Sequence, residues 1–578
     1  MASTHPRSRS GSPAHPPEKR LRLDASDIIE VDSPVVDQQP PPENVSEDVL
    51  ADKPHPPSSS KKQPKKHKNK KNARRAPEPY SHDDILSREV TALLGQDIAD
   101  EAKAADLDWS SPFEFSQQLE LTVSCISPST GESLSIATAG DRKWVIVAPL
   151  SLPGERIRVR VYRHSRLYSH ADLLEVIEPN SEWRDMSLVQ CKYFGTCAGC
   201  QYQMLPYEKQ LDLKRGTVVE AYKNYSNIPS DLVPTILPTI GSPLQYNYRT
   251  KLTPHFQRPP FSFQKAQKRG DAPPVEGKPD WLKIGFHQVG TRNVMDIEEC
   301  PIATPVINKA LGPVRDNVIN NITKFKNGAT LLLRDSLPLD ADADDDPAAP
   351  EMRITAEDGA HICVTDQKGT VRERVGDKLF EYTAGTFFQN NNSALVPLTD
   401  YVRRAIFPSP SPGVQAGEAP THLVDAYCGS GLFSIMLAPH FARVAGIELS
   451  AESIRSAQRN AALNALAPEA VSFLAGDAAN IFDTVQDFPR ERTALIIDPP
   501  RKGTDGRFVE QMLAFGASTV VYVSCNVHTQ ARDVGMILAK SSEQAGADGK
   551  KYVLESLTGL DLFPQTAHVE AIAVLRLV

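Results

Sequence analysis

Short apolar runs alternate with amphipathic segments in the last third of the chain. HLVDA, VAGIE, VSFLA, ALIID and VVYVS are rich in Val, Ile and Leu, and helical segments such as AESIRSAQRNAALNAL separate them. This alternation is typical of parallel strands in a doubly wound sheet. Two β-rich runs, KYVLESLTGLDLF and HVEAIAVLRLV, close the chain and predict an antiparallel edge hairpin. We therefore expect an α/β protein whose C-terminal part, residues 391–578, is a Rossmann-like domain.

A different pattern, with apolar residues at every second position, covers residues 116–180. LELTVSCIS, KWVIVAPL and ERIRVRVYRH read as short strands, and their spacing predicts a compact β-barrel of the oligonucleotide-binding (OB) type. Four arginines in the third run give this barrel basic character; the alternative is that they are only its polar outer face. The arginines are Arg156, Arg158, Arg160 and Arg163.

Residues 181–390 show irregular strand-like runs and loops, which predict a mixed α+β central domain. Residues 1–115 are rich in proline and poor in aromatic residues, so we expect a largely disordered, basic tail. Within it, Lys61–Arg75 holds nine basic residues and no acid. That run indicates a nuclear import signal or a loose contact with RNA phosphates, or else only a solvated tail. We expect the protein in the nucleus and/or the cytoplasm. Import into mitochondria is the alternative, although the prolines disfavour the amphipathic helix that a presequence needs.

Composition excludes several classes and leaves others open. The formal net charge is -8, so a nucleic-acid partner cannot be argued from overall charge. No run approaches the roughly 20 apolar residues of a membrane span, so we expect no membrane partner. Eight cysteines in 578 residues are too few for a disulfide scaffold, which favours a reducing compartment. No feature of the sequence indicates an obligate protein partner.

Chemistry-bearing residues stand where the predicted strands end, which is where open α/β sheets bind ligands. The first strand runs into Asp425–Gly431, and the second ends at Glu448, 19 residues after Gly429. An acid there can accept hydrogen bonds from a ribose, as can Asp477 beside it. A dinucleotide would need a full G-x-G-x-x-G, so the cofactor S-adenosylmethionine (SAM) fits better. After the fourth strand, Asp498 and two prolines form a rigid turn suited to a flipped base, or a plain strand-ending loop.

The fifth strand ends at Cys525, beside the predicted cofactor mouth. A uracil ring is a poor carbon nucleophile, but addition of a thiolate to C6 makes an enolate whose C5 can attack a methyl group. The C5 proton must then leave, so a base is needed on the same side. Glu570, in the closing hairpin, is the candidate base. The alternative for Cys525 alone is a buried core residue.

Six motifs in this order resemble the RNA uracil-5 methyltransferase family over about residues 119–578. They are FFQNN, DAYCGSG, GIE, DPPRKG, VSCN and HVE. The resemblance implies a SAM-dependent enzyme with Cys525 as nucleophile and Glu570 as proton acceptor. It implies that the front barrel is an RNA-binding TRAM domain. The long leader resembles that of fungal members, which act on the T-loop uridine of transfer RNA. Cofactor contacts are implied at Gln389, Tyr427, Glu448 and Asp498.

Four cysteines of the central region form a candidate metal site: Cys191, Cys197, Cys200 and Cys300. Four thiolates could hold a 4Fe–4S cluster or a structural zinc, or the thiols could be unligated. The x5 and x2 spacing differs from that of radical enzymes. Bacterial ribosomal members of the family carry a cluster on this pattern and the bacterial transfer-RNA members lack it, so the motif does not settle the substrate.

The sequence leaves four alternative functions open. A ribosomal-RNA uracil-5 methyltransferase would share every motif. A cytosine-5 RNA methyltransferase typically has a second cysteine in the Pro-Pro loop, where this chain has DPPR. An adenine N6 methyltransferase would not need Cys525. A non-catalytic transfer-RNA-binding folding factor would need neither Cys525 nor Glu570.

Overall fold

The computed structural model describes residues 76–270, 277–339, 354–355, 361–408, 419–476, 482, 484–545 and 549–578. The basic run Lys61–Arg75 and Asp477 lie outside these ranges. Two helices occupy part of the predicted tail, α1 (His82–Leu94) and α2 (Gln96–Ala104). The prediction of a largely disordered stretch to residue 115 is therefore wrong for this part. Ser81 caps α1, and Leu86, Val90 and Leu94 bury one face of it at a spacing of four residues.

A six-stranded sheet follows, in the order β1-β5-β6-β4-β3-β2, with β4 and β6 parallel and the other neighbours antiparallel. Apolar side chains from alternate positions and from α1 form its core, which includes the fully buried Trp144. The strands confirm the period-two pattern, while the assignment as an RNA-binding TRAM barrel stays a prediction. The strands are β1 (Gln118–Thr122), β2 (Cys125–Ile126), β3 (Ser133–Ala139), β4 (Arg142–Ala148), β5 (Arg156–His164) and β6 (Tyr168–Glu178).

The arginines of β5 face carboxylates on the neighbouring strands. Arg158 lies opposite Glu120 on β1 and Glu175 on β6, and it forms ion pairs with both. Arg156, Arg160 and Arg163 likewise pair with acidic residues. The row is therefore neutralised within the protein, and the basic character predicted for this sheet is not available to a partner as free charge.

The central region is mixed α+β, as predicted. It has two four-stranded sheets, ordered β10-β9-β8-β11 and β13-β14-β12-β7, and a two-stranded ribbon β15-β16. Its helices are α3 (Tyr207–Tyr225), α4 (Phe261–Arg269) and α5 (Pro305–Asn320), while α6 (Leu395–Ile406) lies beyond residue 390 and packs in the core of the C-terminal sheet. Its strands are β7 (Lys251–Leu252), β8 (His255–Phe256), β9 (Ile284–His287), β10 (Val294–Asp296), β11 (Ala329–Thr330), β12 (Leu333–Ser336), β13 (Ile354–Thr355), β14 (Ile362–Val364), β15 (Thr370–Val375) and β16 (Lys378–Thr383).

The C-terminal sheet has seven strands in the order β19-β18-β17-β20-β21-β23-β22. The first five are parallel, and the closing hairpin is antiparallel, as the sequence pattern predicted. Its strands are β17 (His422–Ala426), β18 (Arg443–Glu448), β19 (Val471–Ala475), β20 (Thr493–Ile497), β21 (Thr519–Ser524), β22 (Tyr552–Leu560) and β23 (Glu570–Leu577). Its helices are α7 (Leu432–Leu437), α8 (Ala451–Leu463), α9 (Gly506–Phe515) and α10 (Val527–Gln544).

Helix α3 fastens the central region to the C-terminal sheet. It packs on α10 so closely that a Cβ atom at Gly535 would lie 1.7 Å from the carbonyl oxygen of Ser226. Lys214 of α3 and Asp561, just after β22, form an ion pair in which both side chains are fully buried. Among the residues described above, no helix is both long and apolar enough to cross a membrane.

Candidate active site

Cys525 and Glu570 lie side by side at the carboxyl edge of the C-terminal sheet. Strand β21 ends at Ser524, which pairs with Ala571 of the antiparallel β23. Cys525 is the next residue along β21 and Glu570 the preceding residue of β23, so the register sets them opposite each other. Gln530 of α10 fixes this register, because its side-chain amide donates to the carbonyl oxygens of Tyr522 (2.7 Å) and Ala571 (3.0 Å).

The turn after β20 brings two more charged groups to Cys525. Asp498 follows β20 directly, and Arg501 lies three residues on. The Arg501 carbonyl oxygen accepts hydrogen bonds from Asn526 Nδ2 (3.0 Å) and Thr529 Oγ1 (3.1 Å) at the start of α10. These bonds hold the DPPR turn against the segment that carries Cys525, and the Arg501 side chain is hydrogen-bonded to the thiol.

Burial and negative charge govern the protonation of this group. Burial, followed by the charges of Glu570 and Asp498, raises the pKa of Cys525 to about 11, while Arg501 opposes that rise. Burial and then Asp425 raise the pKa of Asp498 to about 7. Burial and then Asp498 raise the pKa of Glu570 well above its ordinary value, and Glu570 Oε1 has no hydrogen-bond partner among the described residues. At neutral pH these shifts favour a protonated Cys525 thiol and a protonated Glu570 carboxyl.

The predicted cofactor end of the site fits a nucleoside. Tyr427 and Gly431 adopt φ angles of 64° and 92°, which turn the chain sharply after β17. A Cβ at Gly431 would lie 3.0 Å from the Ile435 side chain, so the turn requires glycine there. Glu448 accepts hydrogen bonds from the backbone N–H groups of Gly429 (3.3 Å) and Ser450 (2.9 Å), and carboxylate oxygens keep further acceptor sites for a ribose diol.

An apolar surface stands beside that acid. Leu449, the residue after Glu448, is 74% exposed. The flat face of an aromatic base such as adenine can pack on an exposed leucine while its ribose binds Glu448. The acid and the exposed leucine therefore fit the nucleoside part of SAM. Cys428, the other cysteine of this turn, is buried, and burial together with Asp425 and Glu448 raises its pKa well above the ordinary value.

Gln389 lies on a different segment, the loop between β16 and α6. Its segment is nevertheless tied to the active-site edge, because Asn391 Nδ2 donates to the carbonyl oxygen of Leu562 (3.1 Å), in the loop that leads to Glu570. The cofactor contact of Gln389 stays a prediction.

The four predicted metal-binding cysteines line one cavity of about 230 Å³, between the loop 191–203 and the segment 299–302. Burial is the main cause that raises their pKa values, to about 12 for Cys200 and about 11 for Cys300. Across the described ranges, no three His, Cys, Asp or Glu side chains are arranged to hold a metal ion. The structure thus brings the four cysteines together without forming a ready site for a single ion.

Comparisons with known proteins bear on this arrangement. The family model described as tRNA (Uracil-5-)-methyltransferase matches residues 361–577. A Schizosaccharomyces pombe protein named tRNA (uracil(54)-C(5))-methyltransferase is 43% identical over 464 residues, which cover 80% of this chain and 79% of that protein. The chain belongs to the tRNA (uracil-5-)-methyltransferase family. Membership confirms the predicted enzyme class, a methyltransferase that takes its methyl group from SAM.

Two further relatives extend the comparison. A Saccharomyces cerevisiae protein of the same name is 36% identical over 464 residues, covering 75% of this chain and 70% of that protein. The crystal structure of Pyrococcus abyssi tRNA (uracil-54, C5)-methyltransferase with S-adenosyl-L-homocysteine has a TM-score of 0.51 and 20% identity. The match covers 79% of this chain and 100% of that one, and at this identity it confirms the fold.

Two features of this family member were not assigned roles from the sequence. Arg501 was visible in DPPRKG, but its contact with the thiol depends on the α10 hydrogen bonds. The loop before Glu570 is anchored from the central region: Gln565 accepts backbone hydrogen bonds from Gln201 (2.9 Å) and Tyr202 (3.0 Å) at the end of the cysteine loop. No periodicity or motif relates residues more than 350 positions apart, so only the structure could show this link.

Proposed function

We propose that this protein transfers a methyl group from SAM to C5 of a uridine in transfer RNA, at position 54 of the T loop. The observation that carries the proposal is the proximity of Cys525, just after β21, to Glu570, the first residue of β23, with Asp498 and Arg501 also within electrostatic reach of the thiol. Two relatives that share most of the chain are named for uracil 54 of transfer RNA, which supports that substrate.

The reaction begins with loss of the Cys525 proton. With a pKa of about 7, Asp498 is partly ionised at neutral pH and lies within electrostatic reach of the thiol, so it can accept that proton. Arg501 stabilises the resulting thiolate. The sulfur then forms a bond to C6 of the uracil, and the electron pair of the C5–C6 double bond moves toward O4 as an enolate.

The second half of the reaction needs a base. When bound, SAM would supply an electrophilic methyl group, to which C5 would form a bond as the methyl–sulfonium bond breaks and S-adenosyl-L-homocysteine leaves. Glu570, as carboxylate, then removes the proton from C5; the C5–C6 double bond forms again and the bond between C6 and the Cys525 sulfur breaks. Burial and then Asp498 raise the pKa of Glu570 well above its ordinary value, and the positive charge of Arg501 opposes that rise, in the direction of the carboxylate that this step requires.

The substrate assignment is tested by methylation of purified RNAs. Transfer RNA from cells lacking 5-methyluridine, its variant with cytidine at position 54 and ribosomal RNA fragments are each incubated with enzyme and SAM, digested to nucleosides and measured by mass spectrometry. We expect 5-methyluridine in the first RNA alone. Product only in ribosomal RNA, methylated cytidine or adenine, or transfer-RNA binding without any product would each contradict the proposal.

We also propose that Cys191, Cys197, Cys200 and Cys300 hold a 4Fe–4S cluster. The support is that all four cysteines line one cavity and that four thiolates are the ligand set of such a cluster. Protein purified without oxygen should contain iron and sulfide, and Cys197→Ser should lower both. Stoichiometric zinc, or no metal, would contradict this assignment.

A further inference from the structure

Backbone hydrogen bonds fix the segment Arg249–Lys251 between the cysteine cavity and the loop that carries Gln389. The Arg249 N–H donates to the carbonyl oxygen of Ile302 (2.8 Å), next to the cysteine cavity. The Thr250 N–H donates to the carbonyl oxygen of Asn390 (2.9 Å), next to Gln389. These bonds fix the backbone at Arg249 and Thr250. The side chains of Arg249 and Lys251 therefore project from an ordered segment.

The side chain of Arg249 reaches the loop that leads to Glu570. Its guanidinium carbon lies 5.9 Å from the centre of the Phe563 ring. Phe563 in turn contacts the ring of His568 at 5.0 Å between centroids, and His568 is two residues before Glu570. Arg249 is thus at the border of the proposed uridine site, and Lys251, two residues further on, lies within electrostatic reach of Arg249.

These two cations have no carboxylate partner among the residues that the structure describes, although Arg249 also lines the cysteine cavity. Neither forms an ion pair with a described carboxylate; the Arg249 guanidinium donates through Nε to the Lys251 carbonyl oxygen (3.0 Å). Lys251 is half-buried, and burial together with the charges of Arg334 and Arg249 lowers its pKa to about 8. Arg334 is itself paired with Glu373 at 3.6 Å. This contrasts with β5, whose arginines all have carboxylate partners.

Half-buried cations without partners cost free energy unless an anion joins them. The RNA substrate carries an anionic phosphate at every nucleotide. Contacts from lysine and arginine to such phosphates position a nucleic acid on a protein. We propose that Arg249 and Lys251 bind a backbone phosphate of the RNA beside the uridine that enters the Cys525–Glu570 site. The proposal rests on the RNA methyltransferase function given above and adds the site that aligns the strand.

Salt dependence of RNA binding gives the first test. Counterion release predicts that each lost phosphate contact makes the slope of log K against log salt less steep by about 0.7–0.9, or roughly 5- to 8-fold weaker binding at 0.1 M salt. Lys251→Gln should show this loss in Kd and KM, with a kcat at saturating RNA within about twofold of wild type. Lys251→Arg, which keeps the charge, should restore both values. Lys251 does not line the cysteine cavity, so iron content should stay unchanged.

The matched control is Arg443→Gln, which removes an exposed arginine already paired with Asp487 at 2.6 Å. Its Kd and salt slope should equal those of wild type. If Lys251→Gln has the affinity and salt slope of wild type, or if Lys251→Arg fails to restore them, the phosphate site is wrong. Because wild type would still form 5-methyluridine in that case, this failure is distinct from failure of the proposed function.

A second measurement uses the wild-type protein and changes the RNA. Replacing single phosphates around the target uridine by uncharged methylphosphonates should weaken wild-type binding roughly 5- to 8-fold at one position. The same replacement should have almost no further effect on Lys251→Gln, since the two changes remove one interaction. Equal losses in wild type and Lys251→Gln at every position near the uridine would overturn the proposal.

Discussion

Arg501 offers the sharpest test of how the site makes a thiolate. With a pKa of about 11, Cys525 is ionised in only about one molecule in three thousand at pH 7.5. Arg501 is the cation hydrogen-bonded to that sulfur, and a hydrogen bond to a charged group contributes about 1.5–3 kcal/mol. Arg501 is exposed, so water screens its charge and the lower end applies. About 1.4 kcal/mol corresponds to one pKa unit and a tenfold change in thiolate.

The substitution Arg501→Gln should therefore slow addition of Cys525 to the RNA about tenfold. The assay follows the covalent adduct with RNA that carries 5-fluorouridine at the target position, under saturating RNA, from pH 6.5 to 9.5. Because the thiol pKa is raised, the adduct rate should climb with pH in both proteins, and the curve of the variant should lie about one pH unit higher. Lys502→Gln, an exposed neighbour, is the control and should match wild type. Coinciding curves for Arg501→Gln and wild type would refute the role of Arg501.

Two other predictions concern stability and the N-terminal segment. Lys214→Met leaves the Asp561 carboxylate buried without its cation, which should cost about 3–5 kcal/mol and lower the thermal midpoint by roughly 10 °C, measured by circular dichroism. Lys214→Met with Asp561→Leu should regain only part of this, because the Tyr207 hydroxyl and the Phe563 N–H then lose their acceptor. No loss in the single variant would contradict the buried pair. Deletion of residues 1–75 should leave kcat on a short T-arm RNA within twofold of the wild-type value. It should change cellular localisation or the salt dependence of RNA binding. A large fall in kcat would show that this segment belongs to the active site.

Local pattern was sufficient for most of the C-terminal domain. Each apolar run became a strand, and the closing runs became the antiparallel hairpin, because buried parallel strands need continuous apolar sequence. The motifs VSCN and HVE were sufficient to name Cys525 and Glu570 as candidate catalytic residues. Their adjacency follows from β23 pairing with β21 before β22, a fact of topology that spacing alone does not contain.

Charge was harder to interpret from the sequence. The arginines of β5 looked like a basic surface, but cross-strand register places Glu120 and Glu175 opposite Arg158 and cancels it. Conversely, Arg249 and Lys251 did not stand out in the sequence, although they have no carboxylate partner in the described structure. Whether a cation is free depends on neighbours brought by tertiary pairing, so composition and local runs could not decide it.

The most direct test of the central claim is a denaturing gel of labelled T-arm RNA with wild type, Cys525→Ala and Glu570→Gln in the presence of SAM. If Cys525 adds to C6 and Glu570 removes the C5 proton, Glu570→Gln should accumulate a shifted RNA–protein band whose nucleotide carries the extra methyl group by mass spectrometry. Cys525→Ala should give neither band nor 5-methyluridine. A band with Cys525→Ala would assign the nucleophile to another residue, such as Cys428, and normal turnover by Glu570→Gln would show that Glu570 is not the base.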